Sequence, residues 1–205
     1  NSGAGGKTMS ADGTITIGST STSPTIILTT TGARFLVSGT DYCHPKTMVA
    51  TGGITINNGT TVITSTDDGI HSDASITING GTNTVTASSS TQGVGEGIEA
   101  PIITFNGGLT NITASNDGIN ATYGTKSGGT ESNDNSYLYL KGGIVIVAGS
   151  DAVDSNGNIQ VTGGTMIVNG PATGVEEGFD FNGTFNINGG LVIAAGSNSQ
   201  MTKAM

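Results

Sequence analysis

Ile76-Thr77-Ile78-Asn79-Gly80-Gly81 closes a short run of alternating apolar residues with an asparagine and two glycines. The phrase returns as Ile54-Thr55-Ile56-Asn57-Asn58-Gly59, Ile103-Thr104-Phe105-Asn106-Gly107-Gly108, Leu138-Tyr139-Leu140-Lys141-Gly142-Gly143, Ile159-Gln160-Val161-Thr162-Gly163-Gly164 and Phe185-Asn186-Ile187-Asn188-Gly189-Gly190. The final glycines lie 22, 27, 35, 21 and 26 residues apart, which is a period of 21–22 with insertions of about 5, 13 and 5 residues. Repeats of this length are stacked units that bury their apolar faces against one another.

Two further apolar lines keep the same step. Ile63, Val85, Ile112, Val147, Val168 and Ala194 follow the glycine turns, and Ile70, Ile98, Ile119, Val153 and Phe179 precede the next repeat. Period-two alternation in three short runs per repeat, punctuated by Gly and Asn, is the pattern of strands rather than helices. The expected fold is all-β: a right-handed parallel β-helix, a solenoid of about 22 residues per coil with three short strands in each. One domain is expected over 1–205, with regular coils over 52–200 and an insertion near 123–136. Residues 1–51 read as irregular capping coils. Within them Thr14–Ile17, Thr25–Thr29 and Phe35–Ser38 are expected strands, and Asp41 to Lys46 a loop. The last repeat ends in polar sequence and the chain starts at Asn1, so a longer natural chain is expected on both sides.

Composition agrees with a narrow core. Hydrophobic residues make up 34% and aromatics 4%, with no tryptophan, too few for a wide core of large side chains. The charge is sparse and one-sided, with 15 acidic against 6 basic residues. That balance excludes nucleic acid and anionic membrane as partners, because both are gripped through Lys and Arg. No apolar run is long enough to span a bilayer, so no membrane insertion is expected. Cys43 is alone, which rules out an internal disulfide. Low charge with abundant Thr, Asn and Gly suggests an extracellular or bacterial cell-surface protein, expected as a monomer.

The acids are not scattered. Asp67-Asp68-Gly69-Ile70-His71, Gly95-Glu96-Gly97-Ile98-Glu99, Asn116-Asp117-Gly118-Ile119-Asn120, Ser150-Asp151-Ala152-Val153-Asp154 and Glu176-Glu177-Gly178-Phe179-Asp180 are five versions of one phrase. In stacked repeats Asp68, Glu96, Asp117, Asp151 and Glu177 form one row, and His71, Glu99, Asn120, Asp154 and Asp180 a second. Parallel strands lie about 4.8 Å apart. Each like-charged pair then costs roughly 1 kcal/mol in water and about 3 at an effective dielectric of 20. Lys141, in the other turn, is the only lysine at a repeat position, so the counter-charge is expected from outside. Oxygen ligands without sulfur or clustered imidazole select Ca²⁺. The expected metal ligands are Asp67, Asp68, His71, Glu96, Glu99, Asp117, Asn120, Asp151, Asp154, Glu176, Glu177 and Asp180. The glycine that follows the row acid in four of the five phrases is expected to let the chain turn sharply. Acids at a solvated corner, screened by salt, are the alternative. Asn57, Asn79, Asn106 and Asn188 are expected to stack as an internal amide ladder.

The cadence Asp-Gly-Ile followed by Ile-x-Ile-x-Gly-Gly resembles a clostridial-type family of carbohydrate-binding β-helix domains. The likeness spans about residues 52–200 and is clearest at Tyr137-Leu138-Tyr139-Leu140-Lys141-Gly142-Gly143, Asp154-Ser155-Asn156-Gly157-Asn158-Ile159, Val168-Asn169-Gly170-Pro171 and Gly189-Gly190-Leu191-Val192. The resemblance implies a fold similar to calcium-dependent pectate lyases, calcium sites, and affinity for plant cell-wall polysaccharide, above all acidic sugars such as polygalacturonate. His71, Asn120 and Ser150-Asp151-Ala152 depart from its motif.

The expected function is therefore calcium-dependent binding of pectin-like, acidic plant cell-wall glycans without catalysis, with Tyr123 and Lys126 as candidate substrate contacts. A pectate-lyase reaction is the first alternative, with Lys126 as its base. The Gly-His-Gly and Arg-Ile-Lys segments expected of polygalacturonase-type hydrolases are absent. A structural or adhesive stalk is the second alternative. Cellulose and other neutral glucans fit less well, for want of an outward aromatic platform.

Overall fold

A computed structural model of the chain describes residues 1–90, 94–124, 132–174 and 176–197. The described residues are all-β, with no helix among them, and nearly all of their strands pair in parallel. Seven strands form one sheet: Met9–Ala11, Met48–Ala50, Ile70–Ser72, Ile98–Ala100, Ile119–Ala121, Val153–Ser155 and Phe179–Phe181. Twelve others form a second, curled sheet. It climbs through Ile15–Ile17, Ile54–Ile56, Ser75–Ile78, Ile102–Phe105 and Tyr137–Leu140 to the long strand Asn158–Asn169. From there it returns through Ile144–Ala148, Leu109–Ala114, Thr82–Ala87 and Thr60–Ser65 to Thr25–Thr29, and the twelfth strand, Phe185–Ala195, pairs with Asn158–Asn169 off this path.

The apolar lines read from the sequence are the register of these sheets. Ile63, Val85, Ile112, Val147, Val168 and Ala194 are successive partners, and so are Ile70, Ile98, Ile119, Val153 and Phe179. Ile54, Ile76 and Ile103 pair on the third line, as do Ile56, Ile78 and Phe105. Apart from Ala194, which is exposed, these side chains are buried and make up one continuous core. A slip of one residue would turn each strand's apolar side chains outward, which pins the stacking.

Glycine marks two kinds of place. Gly81 and Gly108, which end the turn phrases, have φ of 82° and 79°, the left-handed region that glycine occupies without strain. The glycines of the acidic phrase act differently. Gly69, Gly97 and Gly118 are not in that region, so the expected sharp turn is not their role. A Cβ on Gly97 would run into the carbonyl of Gly118 and the side chain of Ile112. These glycines let one repeat settle against the next.

The first repeat is more regular than its sequence suggests. Met9–Ala11, Ile15–Ile17 and Thr25–Thr29 join the parallel sheets in register. The chain then leaves the stack. Phe35–Ser38 pairs antiparallel with Asp41–Cys43 as a projecting hairpin, where a loop was expected for the second segment. Asn57, Asn79 and Asn106 do form an amide ladder, with Nδ2-to-Oδ1 hydrogen bonds of 2.8 Å at both steps. Asn79 and Asn106 are exposed, so the ladder lies on the outside of the turn rather than within it.

One column inside the core is polar. Thr61, Asn83 and Thr110 are register partners and fully buried. Asn83 Nδ2 donates to the Gly80 carbonyl at 3.2 Å, but the Thr61 hydroxyl has no hydrogen-bond partner among the described residues. A buried hydroxyl without a partner costs about 1–3 kcal/mol. Thr61→Val keeps the branched shape and removes that cost. It is expected to raise unfolding stability by about 1 kcal/mol, read as a higher urea midpoint at unchanged slope.

Candidate functional site

The strands of the seven-stranded sheet are three residues long, and the five inner ones alternate buried, half-buried, buried. Their central side chains face outward. Val49, His71, Glu99, Asn120, Asp154 and Asp180 therefore stand side by side in register. Two residues before each strand runs the first acidic row, tied by the backbone. The amides of Thr47, Gly69, Gly97, Gly118 and Ala152 donate to the carbonyls of Asp68, Glu96, Asp117, Asp151 and Glu177 at 2.9–3.2 Å.

Continued one repeat back, the first row begins with Lys46, because Met48 pairs with Ile70. This overturns the expectation that every counter-charge must come from outside. The Lys46 ammonium forms an ion pair with Asp68 and lies 2.8 Å from His71 Nδ1 and 3.2 Å from Glu99 Oε2. The clue in the sequence was Met48-Val49-Ala50, which has the apolar-x-Ala form of Ile98-Glu99-Ala100 and Ile119-Asn120-Ala121. Without an acidic phrase before it, that segment is easily passed over as irregular.

Around this lysine the charges interlock. Burial opposes the Lys46 charge, but Asp68 and Glu99 outweigh it and hold the amine above the usual lysine range. Asp68 is only 2% exposed. Burial opposes its charge too, yet the hydrogen bond from Glu96 and the ammonium of Lys46 hold it well below the usual carboxylate range. Glu96 moves the other way: burial, then the hydrogen bond to Asp68 and the charges of Asp68 and Glu99, push it up to about 9. At neutral pH Glu96 is a carboxylic acid and a donor to Asp68. His71 closes the group, with Nδ1 2.6 Å from Glu99 Oε2 and Nε2 3.0 Å from Asp73 Oδ1. Burial alone would lower its pKa, but the Glu99 contact raises it overall. Asp67 stands apart from the row: Oδ2 meets His44 Nδ1 at 2.8 Å, and Oδ1 accepts from the Asp68 amide at 3.0 Å.

Further along, the character changes. Burial, then the charges of Asp154 and Asp151, push Asp117 up to about 8. Burial does the same for Asp151, to about 7, with Glu176 and Asp180 adding to it. Asn116 links the two regions, donating from Nδ2 to Glu96 Oε1 at 2.9 Å and to Asp117 Oδ2 at 3.3 Å. Asn120, between Glu99 and Asp154, holds a buried Oδ1 with no donor among the described residues. Glu177 is buried, while Glu176 is exposed.

The two regions differ as places for a cation. Among the described residues, only Asp68, His71 and Glu99 bring three ligand atoms within 4.8 Å of one another. An imidazole and the Lys46 ammonium stand in that group, so it does not fit Ca²⁺, which takes oxygen ligands. Asp117, Asn120, Asp151 and Asp154 carry oxygens of the kind a hard cation takes, including the donorless Asn120 Oδ1, but their carboxylates do not bring three ligand atoms within 4.8 Å of one another. Tyr123 is exposed and lines a 280 Å³ cavity with His71, Asp73 and Glu99. That cavity shares Glu99 with a 390 Å³ one lined by His44, Lys46, Asp67, Asp68 and Glu96. Lys126 lies outside the described residues.

Two outcomes follow. Lys46→Met leaves Asp68 buried without its cation and is expected to cost about 3 kcal/mol of stability at pH 7, measured by urea unfolding. In chelator, the pH profile has two limbs. Glu96, Asp117 and Asp151 have raised pKa values, so their contribution is complete below about pH 4 and is lost as pH rises through about 7 to 9. Asp68 has a lowered pKa, so its contribution is present above about pH 4 and is lost on further acidification. The melting temperature is expected to peak near pH 5 and fall toward pH 9, with Glu96→Gln flattening the alkaline limb.

Residues 3–93, just under half of the chain, match a family model described as "Carbohydrate-binding domain-containing protein". No curated protein matches the chain, and no solved structure does.

Proposed function

We propose, from the carbohydrate-binding likeness of residues 3–93 and the paired carboxylate rows beside it, that this protein is a non-catalytic module binding acidic plant cell-wall polysaccharide with calcium. The observation that carries the reading is the contrast between the two ends of the row. Lys46 neutralises Asp68 and Glu99 from within the chain, whereas Asp117 and Asp151 are raised by burial and by neighbouring acids. Asp117, Asn120, Asp151 and Asp154 would hold the cation, with Glu177 and Asp180 next in line. When bound, Ca²⁺ would neutralise these carboxylates and leave coordination positions for a uronate of the glycan. The chain's own part is to hold the oxygens in register along a rigid sheet face, matching a linear polymer to a linear array.

The same reading takes the curled parallel sheet as part of a right-handed β-helix, because crossovers between parallel strands are right-handed in nearly every case. It takes binding over lyase chemistry at the carboxylate rows, where Lys46 is fixed as an ammonium by Asp68 and Glu99 and so cannot serve as a base; Lys126, the base of the lyase alternative, lies outside the described residues. An extracellular or cell-surface setting and a monomeric state belong to the same proposal.

Retention on immobilised polygalacturonate tests it. Calcium is expected to strengthen retention and EDTA to weaken it about tenfold or more, the loss of one or more charge-assisted contacts. Asp117→Asn with Asp154→Asn is expected to remove the response to calcium. Equal retention in calcium and EDTA would sink the cation reading.

A further inference from the structure

We propose that the cavity beside Arg34, at the foot of the projecting hairpin, is a second glycan subsite, one that takes the carboxylate of a hexuronate directly on Arg34 without a metal ion. The inference rests on the acidic-glycan reading above and adds to it a place and a residue.

Arg34 is the chain's one arginine, in a molecule of net charge −9. Surrounded by so many acids, a guanidinium would be expected to find a carboxylate, yet Arg34 makes no ion pair among the described residues. Its Cζ instead lies 4.1 Å from the ring centroid of Tyr42, on the opposite hairpin strand. Tyr42 in turn meets His44 edge-on, with ring centroids 6.4 Å apart, and His44 is held by Asp67 at 2.8 Å. The guanidinium is thus held on an aromatic face with its forked donors uncommitted among the described residues. That is the preparation needed for bidentate contact with a planar carboxylate.

The cavity it borders has a volume of about 440 Å³, within the roughly 300–1,000 Å³ of small-molecule sites. Thr31, Thr66, Ser88 and Ser89 line it with hydroxyl-bearing side chains suited to sugar hydroxyls. The one acid in the lining, Asp67, is buried with its two oxygens already engaged by His44 and the Asp68 amide. Asp67 and Val94 also line the 390 Å³ cavity over Lys46, so a chain seated here has a path toward the carboxylate rows. Arg34, Tyr42 and His44 fall within the carbohydrate-binding match, whereas Asp117, Asp151 and Asp154 do not.

The test is titration calorimetry in EDTA with tetragalacturonate and with its fully methyl-esterified form, on the wild-type chain, Arg34→Ala and Arg34→Lys. Wild type is expected to bind the acid form, and Arg34→Ala to weaken that binding about tenfold or more. Arg34→Lys is expected to fall between, because it keeps the charge and loses the fork. The ester is expected to bind weakly and without regard to Arg34. The melting temperature of each variant, read alongside, separates loss of the contact from loss of the fold. The proposal is overturned if the wild-type chain binds nothing in EDTA, if Arg34→Ala binds as well as wild type, or if acid and ester bind alike. Repeating the titrations in calcium separates the two readings. Binding that depends on Arg34 and ignores calcium leaves this subsite standing and removes the cation reading; binding abolished by EDTA does the reverse.

Discussion

Stacking in register puts chemically equivalent residues about one strand spacing apart, and everything else in this molecule answers to that constraint. For isoleucine it is favourable: each apolar side chain is covered by its counterpart in the next repeat, so a chain poor in aromatics still builds a closed core. For carboxylates it is costly, because repetition sets like charge beside like charge. The molecule meets that cost differently at different heights. Lys46 supplies a built-in cation at one end of the row, Glu96 keeps its proton and becomes a donor, and Asn120 puts an uncharged oxygen where the neighbouring repeats have Glu99 and Asp154. Asp117 and Asp151 are the members for which proton uptake stands in for a partner.

This grading explains what could be read from the residues alone. The apolar lines were legible because each position repeats one requirement, and the register reproduces them partner by partner. The two rows were legible for the same reason. Lys46 was not: it occupies the row's position without the row's chemistry, and only strand pairing shows that the two coincide. Asp67 misled in the opposite sense, since an acid next to a row member in sequence points elsewhere in space and is taken by His44. The function of the phrase glycines was also hidden. A glycine needed for a turn and one needed for close approach look identical until the neighbouring repeat is in view.

The hairpin shows what departures from the repeat can contribute. Phe35–Ser38 and Asp41–Cys43 interrupt the stack after Thr25–Thr29, yet the next strand, Met48–Ala50, resumes in register with Met9–Ala11. Arg34, the Tyr42 that contacts it and the His44 that contacts Asp67 come from that excursion, while Asp67 and Ser88 come from the repeats beside it. Regular and irregular parts of the chain thus meet at one surface.

Because the strands on either side of the excursion keep their partners whatever lies between, the length and sequence of the hairpin are decoupled from the rest of the molecule. The stack works as a fixed backplane with an interchangeable fitting. A hairpin of another length, shape or charge would leave the apolar columns and the oxygen ladder in place, because none of their pairings passes through it.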